Sequence, residues 1–430
     1  MSNAAIISQK IAKPHLEVEG SSLLSGTLSV NGAKNSALVL MAASLLTKDE
    51  LVLTNVPQLT DIQGMSEILI EMGATLKSFQ NTLRIKASDL RHVELPYELV
   101  HELRASFFCI GPLLARLGQA KIPLPGGCEI GARPVSEHIK GLKALGAYIN
   151  VEHGVVTASL PGIKSRLKAA DIVLDCPSVG ATETILMAAV LADGQSSIEN
   201  AAQEPEVQDL AKLLNSMGAQ ISGAGGPKIT IEGVQELHGC DYTVMPDRIE
   251  AGTFLLAGAI TRSVLTVAPV IPEHLSAVIQ KLRDCGCSLK VTGNSIEITP
   301  GDIQGVDITT QPFPGFPTDL QAPFMALMAT AKGTSIITEK IYENRMQHVP
   351  ELQRMGASIR LQGNTAVIEG IPQLSAAPVS GGDLRSTAAM VLASLSAKGI
   401  TKVEGLKHLD RGYAALEEKL NKVGAHITRY

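Results

Sequence analysis

The stretch PGGCEIGARP, Pro125 to Pro134, is the part of the sequence that packing explains least. Its glycines permit hinge motion and close backbone approach to a ligand, and Arg133, five residues after Cys128, is near enough to lower the thiol pKa or to hold an anion beside it. Cys128 is therefore the candidate reactive residue. Charged residues recur elsewhere in equivalent places. Lys34, Arg104, Arg248, Asp319 and Arg385 each open a strongly apolar run, while Arg345 and Arg411, like Cys128 and Arg133, fall in a later connection. Cations gathered with helix N-termini are what a multiply charged anion needs.

Read singly, each residue has a plainer role. An Asp at a helix start is usually a cap, which is the simplest account of Asp319 and Asp383 taken alone. A lone Arg such as Arg345 or Arg411 is usually solvated or paired. Cys109, Cys240, Cys285 and Cys287 read as packing or bystander thiols. The six cysteines lack paired metal-type spacing, so free thiols are expected.

The elements that must position these residues come from a repeat. The pattern apolar-Gly-small-x-apolar occurs as MGATL, LGAYI, MGAQI, CGCSL, MGASI and VGAHI, with glycines at 73, 146, 218, 286, 356 and 424. Intervals of about 70 residues are too long for a solenoid turn, so each repeat should be a small supersecondary assembly. Each glycine ends an amphipathic helical pattern, and a strand-like hairpin such as ATLKSF and NTLRIKA follows, turning at Gln80 and Asn81. Before it lies a helix that is apolar nearly all round, as in KNSALVLMAASLL or RSTAAMVLASLSA, and then a β-rich run. The unit reads as strand, buried helix, strand, amphipathic helix, hairpin. Six such units predict an α/β chain of two domains with three units each, divided near Tyr242 to Arg248, with helices inside and sheets outside.

Composition narrows the function classes. A chain of 430 residues with 45% hydrophobic and 18% charged side chains has the material for packed cores. A net charge of -5 and the absence of Trp argue against general nucleic-acid binding. Apolar runs fall far short of a membrane span and the N-terminus has no signal-peptide core, so a cytoplasmic protein without a membrane or an obligate protein partner is expected.

The strings NGAKN (31–35), LRAS (103–106), PGGCEIGARP (125–134), SVGAT (178–182), PDRIE (246–250), FPTDLQ (316–321), ENRMQHVPEL (343–352), DLR (383–385) and HLDRGY (408–413) together resemble the enolpyruvyl transferases across almost the whole chain. The resemblance implies a two-domain inside-out α/β barrel of six βαβαββ units, with one domain at 34–244 and the other formed by 1–33 plus 245–430. It implies transfer of the enolpyruvyl group of phosphoenolpyruvate to the 3-hydroxyl of UDP-N-acetylglucosamine with release of phosphate, in peptidoglycan precursor synthesis, with no metal or organic cofactor required. Carried over by position, Lys34 and Asn35 resemble donor contacts, with Arg133 and Arg411 joining Lys34 around the phosphate. Arg104, Arg133 to Glu137 (with Pro134, Val135 and Ser136), Cys176 to Val179 (with Pro177 and Ser178), Asp319 and Ile341 resemble the sugar-nucleotide contacts. Cys128 matches the family's acid and its site of alkylation by fosfomycin, Asp319 the carboxylate near the sugar hydroxyl, and Arg345, Asp383 and Arg385 charged residues of the cleft. Ser136 stands where the family usually carries a carboxylate, with Glu137 adjacent. Three other readings stay open: the sister enzyme acting on shikimate 3-phosphate, a paralogue using another uridine nucleotide, and a sugar-nucleotide binder without turnover.

Overall fold

A computed structural model describes residues 13–91, 94–124, 130–131, 134–162 and 165–430, without the side chains of 101 and 102. Cys128 and Arg133 lie outside the described residues, as do residues 1–12.

All six repeat glycines have positive φ, between 90° and 105°, just past the amphipathic helices Thr60–Glu71, Ser136–Ala144, Pro205–Ser216, Ser276–Asp284, Val349–Arg354 and Leu416–Asn421. A side chain would be strained there, and at Gly73 a Cβ would also sit 2.5 Å from the Asp89 carbonyl oxygen. The apolar runs form the inner helices Lys34–Ala43, Ile110–Leu117, Val179–Ala189, Arg248–Ile260, Gln321–Met328 and Leu384–Ser396. In Arg248–Ile260 every residue after Arg248 is buried, which is why no polar stripe interrupts its sequence. Each large aliphatic side chain buried in this way contributes about 1.5–3 kcal/mol.

The helices of each half pack against one another, and six small sheets lie around them. Strands such as Thr82–Lys86 and Val155–Ser159 alternate buried and exposed positions, so one sheet face covers the helices and the other meets water. The predicted inversion of layers is present.

The units are not contiguous in sequence. Asp241–Thr243 pairs in parallel with Glu50–Thr54 and so completes the first sheet, while Gly26–Ser29 pairs in parallel with Leu265–Ala268 and completes the fourth. In the sixth sheet His15–Glu19 lies antiparallel between Ile400–Glu404 and His426–Arg429, in the place that the second hairpin strand occupies elsewhere. Strands from distant parts of the chain thus fill positions that would otherwise be bare edges. Among the described residues, the second sheet has three strands, with one bridge between Glu94 and Lys121 in the fourth place.

Buried apolar side chains fall into two clusters, one drawn from Ala37 to Val244 and one from Leu16 to Val30 with Ile249 to Ile427. The chain crosses between them twice, side by side: Ala33 N–H donates to the Met245 carbonyl at 2.7 Å and Asp247 N–H to the Asn31 carbonyl at 2.9 Å. Gly32 is required at this crossing, because a Cβ would lie 1.8 Å from the Asn55 carbonyl oxygen.

Candidate functional site

Lys34 is the first residue of its helix and leaves the crossing directly; its N–H donates to the Asp247 carboxylate at 3.2 Å. Asp247 also caps Arg248–Ile260 by accepting from the N–H groups of Ile249 and Glu250, so one carboxylate ties together the first turns of an inner helix from each half. The Lys34 ammonium meets Asp61 at 3.0 Å, and Arg411 Nε reaches the other oxygen of the same carboxylate at 2.8 Å. Asp61 lies in the first turn of Thr60–Glu71 and Arg411 follows the short helix Leu406–Leu409, so the contact joins the two halves. Burial depresses the Lys34 pKa below its usual value, only partly offset by Asp61, and Arg385 and Arg411 depress it further. Burial would raise the Asp61 carboxyl, but Lys34 and Arg411 outweigh it and hold it below the usual range.

A second clamp lies wholly among elements of the other half. Asp319, in the 3-10 turn Thr318–Leu320, receives Arg345 Nη2 on Oδ1 at 2.7 Å and Arg385 on Oδ2 at 2.8 Å. Against the cost of burial, Arg385 and then Arg345 hold this carboxyl well below its usual pKa. About a quarter of the Asp319 side chain, 24%, still reaches solvent, whereas both arginines are buried. The two clamps feel one another, since Arg385 is among the charges that depress Lys34. Arg248, the remaining cation at an inner helix start of this half, is bound bidentately by Glu206 at 3.1 and 3.2 Å. The cleft is therefore rich in cations but internally balanced by Asp61, Asp319 and Glu206, none of which except Asp319 the sequence reading singled out.

The two Asp residues that looked alike as helix starters differ in structure. Asp383 is a true N-cap, closing a capping box with Ser386 on Leu384–Ser396 and so orienting Arg385, the second residue of that helix. Asp319 accepts from arginines and caps nothing.

The two stretches that resemble sugar-nucleotide contacts come together. Ser136 and Val179 are the first residues of the adjacent helices Ser136–Ala144 and Val179–Ala189, and Ser178 caps the latter through Ala181 N–H. Glu137 accepts from Asp175 N–H at 2.9 Å, joining Pro134–Glu137 to Cys176–Val179. Two helix N-termini side by side form a place for an anion such as a diphosphate. Cys176 is exposed, its thiol pushed up by burial of its surroundings and by Glu137 and Asp175, so it is not poised as a nucleophile. Arg104 opens a 3-10 turn near His138, whose pKa burial and Arg104 depress to about 3. Asn35, the second residue of its helix, is exposed toward solvent. Ile341 lies in the connection that ends at Arg345. That connection meets the other half, where Asn344 N–H donates to the Ile130 carbonyl at 3.0 Å and Gly131 leaves no room for a Cβ beside Glu343. Cys109 is buried and its thiol is pushed up to about 12, and Cys285 and Cys287 are buried free thiols, as expected of packing residues.

The model of the EPSP synthase family, described as 3-phosphoshikimate 1-carboxyvinyltransferase, matches residues 18–420. The chain belongs to the EPSP synthase family of enolpyruvyl transferases. Within this family, the chain is 72% identical over 430 residues to the UDP-N-acetylglucosamine 1-carboxyvinyltransferase of Prochlorococcus marinus (strain MIT 9313), covering 100% of this chain and 99% of that one. It is 54% identical over 415 residues to the protein of that name from Synechocystis sp. (strain ATCC 27184 / PCC 6803 / Kazusa), covering 96% and 95%. The enolpyruvyl transferase NikO from Streptomyces tendae superposes with a TM-score of 0.87 at 26% identity over 97% of this chain and 99% of that one. An EPSP synthase from Acinetobacter baumannii shares the fold, with a TM-score of 0.76 at 18% identity over 97% of this chain and 100% of that one.

Proposed function

We propose that the protein transfers the enolpyruvyl group of phosphoenolpyruvate to the 3-hydroxyl of UDP-N-acetylglucosamine and releases phosphate. Full-length identity of 54–72% to relatives of that name carries the choice over the shikimate branch. In our reading the site spans two domains, 34–244 and 1–33 plus 245–430, and the free thiols of the described cysteines suit the cytoplasm.

The acceptor oxygen attacks C2 of the donor while a proton is added at C3; loss of a C3 proton with phosphate then leaves the enol ether. Cys128 supplies the C3 proton and Asp319 receives the hydroxyl proton. Two arginines keep Asp319 ionised, so it is a weak base that takes the proton only as the C–O bond forms. Lys34 and Arg411, with Arg133, hold the donor phosphate, and Asn35 lies at the same helix start. The incoming phosphate takes over part of the cationic field that Asp61 balances. The paired N-termini at Ser136 and Val179, with Arg104, hold the diphosphate end of the acceptor.

Phosphate release from phosphoenolpyruvate, measured with each acceptor in turn, tests this. Turnover with shikimate 3-phosphate and none with UDP-N-acetylglucosamine would overturn it, and binding of the sugar nucleotide without phosphate release would mark a non-catalytic binder. Fosfomycin should add covalently to Cys128 in the presence of the sugar nucleotide, read by intact-protein mass, and Cys128→Asp should keep a proton donor while losing the adduct.

A further inference from the structure

Glu339, just past the strand Thr334–Thr338, is 1% exposed and none of the ion pairs among the described residues includes it. Its carboxylate is nevertheless saturated. Oε1 accepts from Thr310 Oγ1 at 2.7 Å and from the N–H groups of Ile341 and Tyr342 at 2.7 and 3.2 Å, and Oε2 accepts from Thr318 Oγ1 at 2.8 Å. The direction of every bond is fixed. Backbone N–H groups can only donate; the Thr310 hydroxyl already accepts from Lys340 N–H at 2.8 Å, and that of Thr318 from Arg345 Nη1 at 2.8 Å, so both turn their protons to Glu339. The chain continues to the reacting end of the site, because Arg345 Nη2 holds Asp319.

We propose that Glu339 is a positioning residue for the acceptor: it locks the turn carrying Asp319 to the connection Ile341–Arg345, so that the wall on which the sugar nucleotide rests and the carboxylate facing its hydroxyl move as one body. Four donors on one buried carboxylate exceed what holding a single turn requires, and three of them, Thr318, Ile341 and Tyr342, belong to the two segments that must keep register for attack. The proposal rests on the enolpyruvyl-transfer reading above.

An amide in place of the carboxylate cannot satisfy all four donors. Glu339→Gln serves three by keeping its oxygen toward Thr310, Ile341 and Tyr342, and then presents NH2 to the Thr318 hydroxyl, whose own proton loses its acceptor. The relay breaks at Thr318 while the backbone anchor remains. With wild-type protein as the reference, E339Q should raise KM for UDP-N-acetylglucosamine about tenfold and lower kcat, with KM for phosphoenolpyruvate changed less than about twofold. Thr318→Val breaks the same link from its other side and should give the same split, and the double variant should be no worse than the poorer single one. If E339Q does not fold, T318V alone decides. Equal changes in both KM values, or a lowered Tm with both KM values unchanged, would overturn the positioning role. Wild-type protein inactive with UDP-N-acetylglucosamine would instead overturn the underlying reading.

Discussion

The two carboxylate clamps use the same chemistry for different ends. Asp61 takes one cation from each half, Lys34 from the first and Arg411 from the second, whereas Asp319 takes both of its arginines from the second half. The first clamp therefore depends on how the halves sit together, and 41% of the Arg411 side chain remains exposed. The second is built into one core, where Thr318 and Glu339 brace it from behind. One end of the site is a seam and the other is preorganised, which suits a reaction in which the donor phosphate must leave and the acceptor hydroxyl must be held still.

The largest effect should come from Asp319→Asn. Removing the charge leaves Arg345 and Arg385 buried without their shared partner, a loss of about 3–5 kcal/mol in stability. It also removes the proposed base, which should lower kcat about 10²–10⁴-fold. Phosphate-release kinetics beside thermal unfolding separate the two: a lowered Tm with kcat within tenfold of wild type would reduce the clamp to a structural one.

Asp61→Asn should act on the donor side. Asp61 opposes the depression of the Lys34 pKa, so without it the ammonium loses its proton at lower pH. KM for phosphoenolpyruvate should rise about tenfold near neutral pH. The alkaline limb of kcat/KM for that substrate should move to lower pH, while KM for the sugar nucleotide stays put. An unmoved limb would show that Lys34 charge is not what the seam regulates.

Much of this contrast could be read from residue types. The repeat glycines announced the helix ends, and the all-round apolar runs announced the inner helices, because both signals are local. Lys34, Arg345 and Arg385 stood out because charged residues recur at equivalent places in the repeat. Asp61 did not stand out: an acidic residue in the first turn of an amphipathic helix is the usual partner of a helix dipole, and its burial is created by chain from the other half. The repeat register held the missing clue, since Asp61 falls near the same connection that carries Arg345 and Arg411 in later units. Periodicity did not show the exchange of Gly26–Ser29 with Asp241–Thr243, although the family resemblance places residues 1–33 with 245–430. Short strands of ordinary composition do not encode which parallel neighbour they take.

A third pair tests whether the seam is one contact or several. Glu206, on a helix of the first half, holds Arg248 at the start of a helix of the second, and both side chains are nearly buried. Glu206→Gln should destabilise the protein by an amount of the order seen for buried pairs, about 3 kcal/mol, measured by denaturant unfolding. Because the charges that shift Lys34 are Asp61, Arg385 and Arg411, the alkaline limb for phosphoenolpyruvate should not shift as it does in Asp61→Asn. A shift of equal size would mean that the whole seam, and not Asp61 alone, sets the charge of Lys34.

The smallest expected effect is on acid stability, and it distinguishes the clamps by pH. Both carboxyls are held below their ordinary value, so each contributes stability that is complete above the unfolded value of about 3.9 and is lost as pH falls through the folded value. Asp319 is held much further down than is Asp61, because two buried arginines outweigh its desolvation. The stability difference between wild type and Asp61→Asn should therefore shrink first as the pH is lowered below about 4, and that between wild type and Asp319→Asn should persist to more acid solution. Unfolding free energies measured in steps from pH 5 to pH 2 would show the order. If the two differences vanish together, the preorganised clamp holds its carboxylate no more firmly than the seam does.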